Sequence, residues 1–376
     1  MPDIDELRVL SSFHYFKGRV ALHAILRAMG IGRGDEVIVP GLTCLAVPLP
    51  VLSLGATPIY ADISTESYNM DLRALPDLVT GKTRAIILQH TYGIPVDVDS
   101  VVRWAHQRGI YVIEDCCHTL MSKWNGKRVG TMGDAAFYSY EWGKPVILGG
   151  GGTALANEAV LQSEIERLYT RAMPAPLVPS LLLWLQEKAF QVIMRPSMFW
   201  PSRAVFRLLS FFHLVVPTFS RQEKRASLAH GDTRMPSFLV KKLGGKLEDL
   251  SADARSRRQV AQQYEEGLRG FGIPSGQEDS AQDIVYLRYP LLVRDKNRVL
   301  QRARHRLIEV GDWFISPIHP LRENEWNRVS YRRGMCPTAE AVSRQVITLP
   351  VYRKVRPAHV RRTLRFLGEI RKEGLL

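Results

Sequence analysis

Four cysteines in 376 residues, Cys44, Cys116, Cys117 and Cys336, are too few and too unevenly spaced for a disulfide framework or a zinc-ligand set. A reducing compartment is the expected setting. No apolar run reaches the ~18 uninterrupted residues of a membrane-spanning helix. The start, MPDIDELRVL, is acidic where an export signal is basic and then apolar. A cytoplasmic location follows as an expectation. Acidic residues are also in the minority, 37 against 51 Lys and Arg, for a formal charge of +14. That balance suits phosphorylated small molecules, anionic lipids or polyanions alike, and no zinc-finger or RNP-type signature selects nucleic acid. No internal repeat or low-complexity tract stands out. What remains is a chain 45% hydrophobic and 23% charged, long enough for a large domain and a smaller one.

The apolar periodicity supplies the fold class. Gly18 opens a helical pattern through Val20, Ala21, Leu22, Ala24, Ile25 and Leu26, closed by Gly30 to Gly34. Short apolar runs follow at Glu36 to Val39, Pro58 to Ala61, Ala85 to Leu88 and Tyr111 to Ile113, separated by helix-length segments. This is the pattern of βαβ units feeding a mostly parallel sheet, an α/β domain placed at residues 1–240. From Lys241 the text turns to charged helical stretches (Lys246 to Leu268, Arg298 to Val310, and a last helix from Pro357) around a strand at Ile284 to Val293. A smaller α+β domain over 241–376 is expected. In such sheets the functional loops leave the carboxyl ends of the strands.

One segment, 171–225, departs from this pattern. It holds two apolar runs, Ser180 to Met194 and Ala204 to Val216, interrupted by Glu187 and Lys188 or by Arg207. Eight Lys and Arg against two Glu give it a charge of +6, with Trp184, Phe199, Trp200, Phe211 and Phe212 interleaved. Such a mixture fits an interfacial helix on an anionic membrane, with contact through 177–217. The plainer reading is a helical pair packed on the body or on a twin subunit.

Two stretches carry chemistry: VIEDCCHTL (Val112 to Leu120) and GDAAFYSYEWGKPVILGGGGTAL (Gly133 to Leu155). Asp115 ends a strand-like run, and Lys144 lies in a loop before four glycines. Pyridoxal phosphate catalysis needs such a pair: a lysine to bond the cofactor aldehyde and a carboxylate to keep the pyridine nitrogen protonated. By themselves an Asp and a Lys at this spacing read more simply as a strand-terminal helix cap and a surface lysine. Gly149 to Gly152 read as a hairpin turn behind the lysine, since no Gly-Lys-Ser/Thr follows to make a P-loop.

The neighbours decide between these readings. The chain resembles the DegT/StrS group of sugar aminotransferases, pyridoxal-phosphate enzymes of fold type I, through a collinear series of motifs. These are Gly30 to Pro40, Leu54 to Asp62, His90 to Pro95, Val112 to Asp115, Val129 to Asp134 and Ser139 to Lys144, then Pro317 to His319, Pro337 to Glu340 and Gln345 to Pro350. Residues 158–229 have no clear counterpart. The resemblance implies Lys144 as the cofactor-bonding lysine and proton shuttle, Asp115 as the pyridine partner, and His118 at the phenolic oxygen of the ring. It implies Gly18, Arg19 and Ser139 at the cofactor phosphate, with Arg19 standing where the family has Thr. Cys44 takes the place of a ring-stacking aromatic. Asp232 takes the place of an Asn that reaches the partner subunit's cofactor phosphate, where an ionised carboxylate would be repelled. His319 and Tyr92 are the expected substrate residues, and no metal is expected.

The implied function is amino transfer from a donor such as glutamate to a keto-sugar, expected to be nucleotide-linked, by a homodimer with pyridoxal 5′-phosphate. Relatives that dehydrate sugars carry His in place of the lysine, and Lys144 speaks against that variant. Two alternatives stay open: an acceptor ketone that is lipid-linked or delivered from the inner face of a membrane, and a non-catalytic regulator or scaffold that keeps the fold.

Overall fold

The computed structural model describes residues 12–193, 198–211, 215–220, 222–229, 231–273 and 280–376. The acidic start and, within the apolar segment, residues 194–197, 212–214 and 221 lie outside the described residues. Seven strands form the main sheet: β1 (Phe13–Tyr15), β2 (Glu36–Pro40), β3 (Thr57–Ala61), β4 (Thr83–Gln89), β5 (Tyr111–Asp115), β6 (Ala135–Ser139) and β7 (Gly152–Ala156). Their order is β1-β7-β6-β5-β4-β2-β3. Strands β2 to β6 run parallel, and β7 and β1 add antiparallel pairings at one edge. The parallel strands read as unbroken apolar runs because both faces are covered: Val37, Ile38, Val39, Ile86, Ile87, Val112 and Ile113 are all fully buried.

The expected first helix spans Gly18–Ala28, and every residue from Gly18 to Leu26 is buried. Its start presses on the sheet without intervening side chains. A Cβ at Gly152 would lie 2.4 Å from the backbone of Gly18, and one at Gly18 would lie 2.8 Å from Ser139 Cβ. Glycine at both positions therefore lets a helix N-terminus meet the ends of β6 and β7.

Downstream, Arg288–Leu292 pairs antiparallel with Val346–Pro350, flanked by helices Leu250–Arg269, Lys296–His305 and Pro357–Lys372. Three expected elements are revised. The stretch Lys246 to Leu268 is divided between two helices, Ser237–Glu248 and Leu250–Arg269, which share Asp249 as cap residue. The strand expected from Ile284 starts only at Arg288, because the amides before it are used elsewhere: Val285 N–H donates to Ser122 Oγ and Leu287 N–H to the Tyr92 carbonyl. The helix expected over Arg298 to Val310 starts earlier, where Asp295 caps it, and ends at His305 ahead of Leu307 at φ +53°.

Several of the collinear motifs prove to be staples. Asp62 accepts from the Thr338 and Ala339 amides and so caps the Pro337–Gln345 helix, and Glu340 binds Tyr331 and Gly334. Asp134 accepts from Val112 N–H and pairs with His106. The four glycines are the return leg of the β6–β7 connection and not its turn. Side chains of Trp142, Leu183 and Met235 would lie 2.6, 3.0 and 2.7 Å from a Cβ at Gly149, Gly150 and Gly151.

Candidate active site

Because β2 to β6 are parallel, their carboxyl ends share one side, and the chemistry-bearing residues collect there. Gln89 ends β4 directly beside Asp115 at the end of β5, and Ser139 ends β6. Thr43–Cys44 forms a short parallel pairing with Ile318–His319, which brings Cys44 beside His319. Lys144 sits in the β6–β7 connection, its backbone N–H turned onto the Glu141 carbonyl. Gly18, Arg19, Cys44, Asp115, His118, Ser139, Lys144 and His319 all border one cavity of about 630 Å³. The sequence separates these groups by up to three hundred residues, and the fold brings them together.

Asp115 is buried, with one oxygen accepting from Cys117 N–H at 2.9 Å. Burial raises its pKa, and the Lys144 ammonium pulls in the opposite direction. His118 Nδ1 accepts from Tyr92 N–H at 3.2 Å, and burial together with the Lys144 charge holds its pKa well below that of free histidine. The ring is therefore neutral at pH 7, and with Nδ1 used as acceptor its proton resides on Nε2. The Lys144 ammonium lies 4.7 Å from the centre of the Trp313 ring, whose own contact with His118 is edge-on at 4.7 Å. Trp313 is an aromatic wall that the motif Pro317 to His319 did not announce.

At the cavity floor the Gly18–Ala28 helix has no side-chain cap on its first turn. Uncapped amides at a helix start beside the Ser139 hydroxyl are suited to an anionic group. The Arg19 guanidinium is buried in a four-charge cluster. It donates to both Glu141 oxygens at 3.2 Å and to the Thr218 carbonyl at 2.8 Å, and pairs with Glu223 at 3.0 Å. Lys17 approaches the same two carboxylates at 3.7 and 3.8 Å, and Phe219 stacks on Arg19 at 4.3 Å. Arg19 Nε is left buried without a partner. The two carboxylates offset its charge, so what Arg19 offers an anion is mainly a donor, not the net positive charge expected from sequence. A glycine cradle, uncapped amides, a hydroxyl and an orphan N–H fit a phosphate, and Asp115, His118 and Lys144 above them fit a pyridine ring.

Two expected site residues lie elsewhere. Tyr92 is fully buried, does not border the cavity, and spends its hydroxyl on the Trp313 carbonyl at 2.8 Å. Its polar contacts are with Trp313 and His118. Asp232 is also off the cavity. It pairs with Arg27 and His23 on the far end of the first helix, and those contacts lower its pKa. Its carboxylate is thereby neutralised within its own subunit. Cys44 does border the cavity, its thiol pushed to higher pKa by burial. His319 does as well, and burial drives its pKa down to about 3.

Gln89, Glu141, Trp313 and Arg288 were not anticipated. Gln89 accepts from Thr43 Oγ1 at 2.7 Å and donates to the Leu42 carbonyl, which fixes the loop carrying Cys44. Its place at a strand end beside Asp115 is the signal that could have found it. Beside the cavity, His90, Glu114 and Cys116 bring ligand-type atoms within 4.8 Å of one another. Glu114 accepts from the Gly130, Met132 and Gly133 amides and from His90, which makes it a clamp for the loop before β6.

The DegT/DnrJ/EryC1/StrS aminotransferase family model matches residues 15–176 and 214–367. A GDP-perosamine synthase of Escherichia coli O157:H7 is 42% identical over 144 residues, 38% of this chain and 40% of that protein. Across three such synthases the chain spans only 40 to 46% of the relative's length. A UDP-N-acetyl-3-dehydro-alpha-D-glucosamine 3-aminotransferase of Acidithiobacillus ferrooxidans is 25% identical over 92% of this chain and 80% of its own. The crystal structure of an aminotransferase from Psychrobacter cryohalolentis superposes with a TM-score of 0.77 at 17% identity, covering 99% of this chain and 90% of that one. The last comparison establishes the shared fold.

Proposed function

Since the chain belongs to the DegT/DnrJ/EryC1/StrS aminotransferase family, we propose that it is a pyridoxal-phosphate aminotransferase moving an amino group from an amino acid, glutamate in the first instance, to a keto-sugar. The observation that carries this reading is the convergence of Lys144, Asp115 and His118 on one cavity above the Gly18–Ser139 cradle. Bound pyridoxal phosphate would supply an aldehyde to take up the donor's amino group and a ring to spread the electrons released at the substrate carbon.

This chain's residues supply the rest. Lys144 has an amine on a flexible stem beside Trp313, suited to hold the cofactor and then to carry a proton between neighbouring carbons. Asp115, fixed on one oxygen by Cys117 N–H, would keep a proton on the ring nitrogen. Neutral His118 offers its Nε2–H to the ring oxygen, a donor that needs no pH change to stay in place. Ser139 and the first-turn amides of the helix would hold the phosphate, and Glu141 with Glu223 keeps Arg19 aligned beside them.

The sugar acceptor follows the relatives, whose names specify amino groups on nucleotide-linked sugars. The nucleotide handle rests on those names alone. A homodimer in the cytoplasm, serving polysaccharide assembly and touching a membrane peripherally, completes the reading. No helix among the described residues is long and apolar enough to cross a membrane. Purified protein with pyridoxal phosphate should absorb near the violet edge and convert glutamate to 2-oxoglutarate in a single turnover. Loss of that band in Lys144→Ala is expected, and a protein that neither binds the cofactor nor consumes glutamate would leave the scaffold alternative standing.

A further inference from the structure

The family match stops at 176 and resumes at 214. Between these limits the chain places two helices of its own, Leu177–Ile193 and Phe199–Phe211. We propose that this pair rests on an anionic membrane surface and that the acceptor ketone is carried on an apolar chain running between the helices to Lys144. The inference builds on the amino-transfer reading and names the substrate class.

The first helix has two unlike faces. Leu177, Leu181, Trp184 and Leu185 follow one stripe at the spacing i, i+4, i+7, i+8, and they are 86, 60, 44 and 51% exposed. Lys188 continues that stripe with its ammonium 6.0 Å from the Trp184 ring centre. The opposite face is anchored: Leu183 is buried against the position of Gly150, and Glu187 pairs with Lys242. An apolar stripe with a tryptophan and a flanking cation, held at fixed orientation on a segment of charge +6, matches an anionic lipid surface.

The second helix makes the connection to the chemistry. Met198, Val205 and Phe206 border the cavity that contains Lys144 and are still 42, 49 and 38% exposed, so the rim of the site is apolar and open. Trp200 N–H donates to the Ile308 carbonyl at 2.7 Å and Arg203 pairs with Asp312 at 2.7 Å, which ties this rim to the loop bearing Trp313. Polar handling of a diphosphate is poorly provided. Each guanidinium described at the cavity is matched by a carboxylate: Arg19 by Glu141 and Glu223, Arg203 by Asp312, Arg288 by Glu309. A nucleotide would meet guanidiniums whose charge is already offset, whereas an alkyl or prenyl chain would only cover apolar surface that is now wet.

The test uses holoenzyme loaded with pyridoxal phosphate. In the first arm it is floated with vesicles of phosphatidylcholine alone or mixed with phosphatidylglycerol. Wild type should float with the mixed vesicles, and Leu181→Glu combined with Leu185→Glu should lower the bound fraction at least tenfold while keeping its cofactor band. In the second arm, hexyl, heptyl and octyl glucoside below their micelle concentrations compete in the reaction with acceptor. Affinity should rise about three- to fourfold per methylene, with a flatter series in Phe206→Ser, and GDP and UDP should compete weakly. Flotation without dependence on chain length, tight competition by GDP or UDP, or a double variant that changes oligomeric state with vesicle binding unaltered would overturn the proposal. The glutamate half-reaction reads the underlying amino-transfer assignment separately, since it needs neither vesicle nor acceptor.

Discussion

The body of this molecule and its two added helices bury their apolar residues in opposite ways. In the parallel sheet, Val37 to Val39 and Ile86 to Leu88 are wholly enclosed, while the Leu177–Ile193 helix turns Leu177, Leu181 and Leu185 outward. Both regions border the same cavity. The body contributes Lys144, Asp115 and His118, the groups to which the chemistry is assigned above, and the described residues of the helices contribute a largely apolar wall that includes Arg203. The difference separates two questions that a family resemblance merges: which bond is changed, and in what company the substrate arrives. Family membership and the residues of the site bear on the first, whereas the second depends on the residues that relatives do not share.

The comparison breaks most visibly at the lysine. Lys144→Ala should remove the violet-edge absorption and reduce the glutamate half-reaction by at least about 10²–10⁴-fold, the range for loss of a positioned proton carrier, with folding monitored by circular dichroism. Retention of both would move the chemistry out of the body. Next comes the joint between the regions, where Glu223 in the 214–225 stretch pairs with buried Arg19 and Lys17. Glu223→Gln leaves two buried cations facing one carboxylate and should lower stability by about 3–5 kcal/mol in a denaturant titration. A change under about 1 kcal/mol would show that the chain returning from the added helices is not anchored through this cluster. Gly152→Ala is expected to cost about 1–3 kcal/mol and to weaken phosphate binding, because its Cβ would meet the Gly18 backbone, which cannot turn aside as a side chain can. A wild-type pyridoxal phosphate affinity would refute the cradle.

The smallest effect is an acid one. Burial holds the pKa of His319 at about 3 and that of His118 well below 6.5 in the folded protein. Their contribution is complete above about pH 6.5 and declines below it, because the unfolded chain then takes up protons that the folded chain refuses. The loss should be about 1.4 kcal/mol per pH unit for each ring, continuing for His319 down to about pH 3. In His319→Gln the slope of stability against pH between 6 and 4 should flatten by that amount relative to wild type. Parallel slopes would contradict the buried, neutral ring.

Strand positions and the first helix were readable because each depends on local pattern, while Lys144 was singled out by the resemblance of its neighbours to the sugar aminotransferases. Val, Ile and Leu runs make buried parallel strands, Asp115 and Ser139 end two of them, and Lys144 stands in the connection that follows the second. Tyr92 was read as a substrate residue because its neighbours His90 and Gly93 frame a motif, whereas its burial comes from Tyr68, Phe314 and the distant Trp313. Arg19 illustrates the same limit: its partners Glu141, Thr218 and Glu223 lie more than a hundred residues away. No local pattern reports such a pairing. Asp232 followed its motif position correctly, but Arg27 and His23, one turn apart on the first helix, had already claimed its charge. The segment carrying Leu177, Leu181 and Leu185 read in sequence both as a packed helical pair and as an interfacial helix, because composition does not show which face of a helix the body leaves open.

The most direct measurement of the account is reductive trapping. Holoenzyme treated with borohydride fixes the cofactor to whichever amine holds it, and digestion followed by mass spectrometry then locates the tag. The account predicts a single modified peptide with the added mass on Lys144. A tag on Lys17, Lys296 or any other lysine, with Lys144 unmodified, would contradict it.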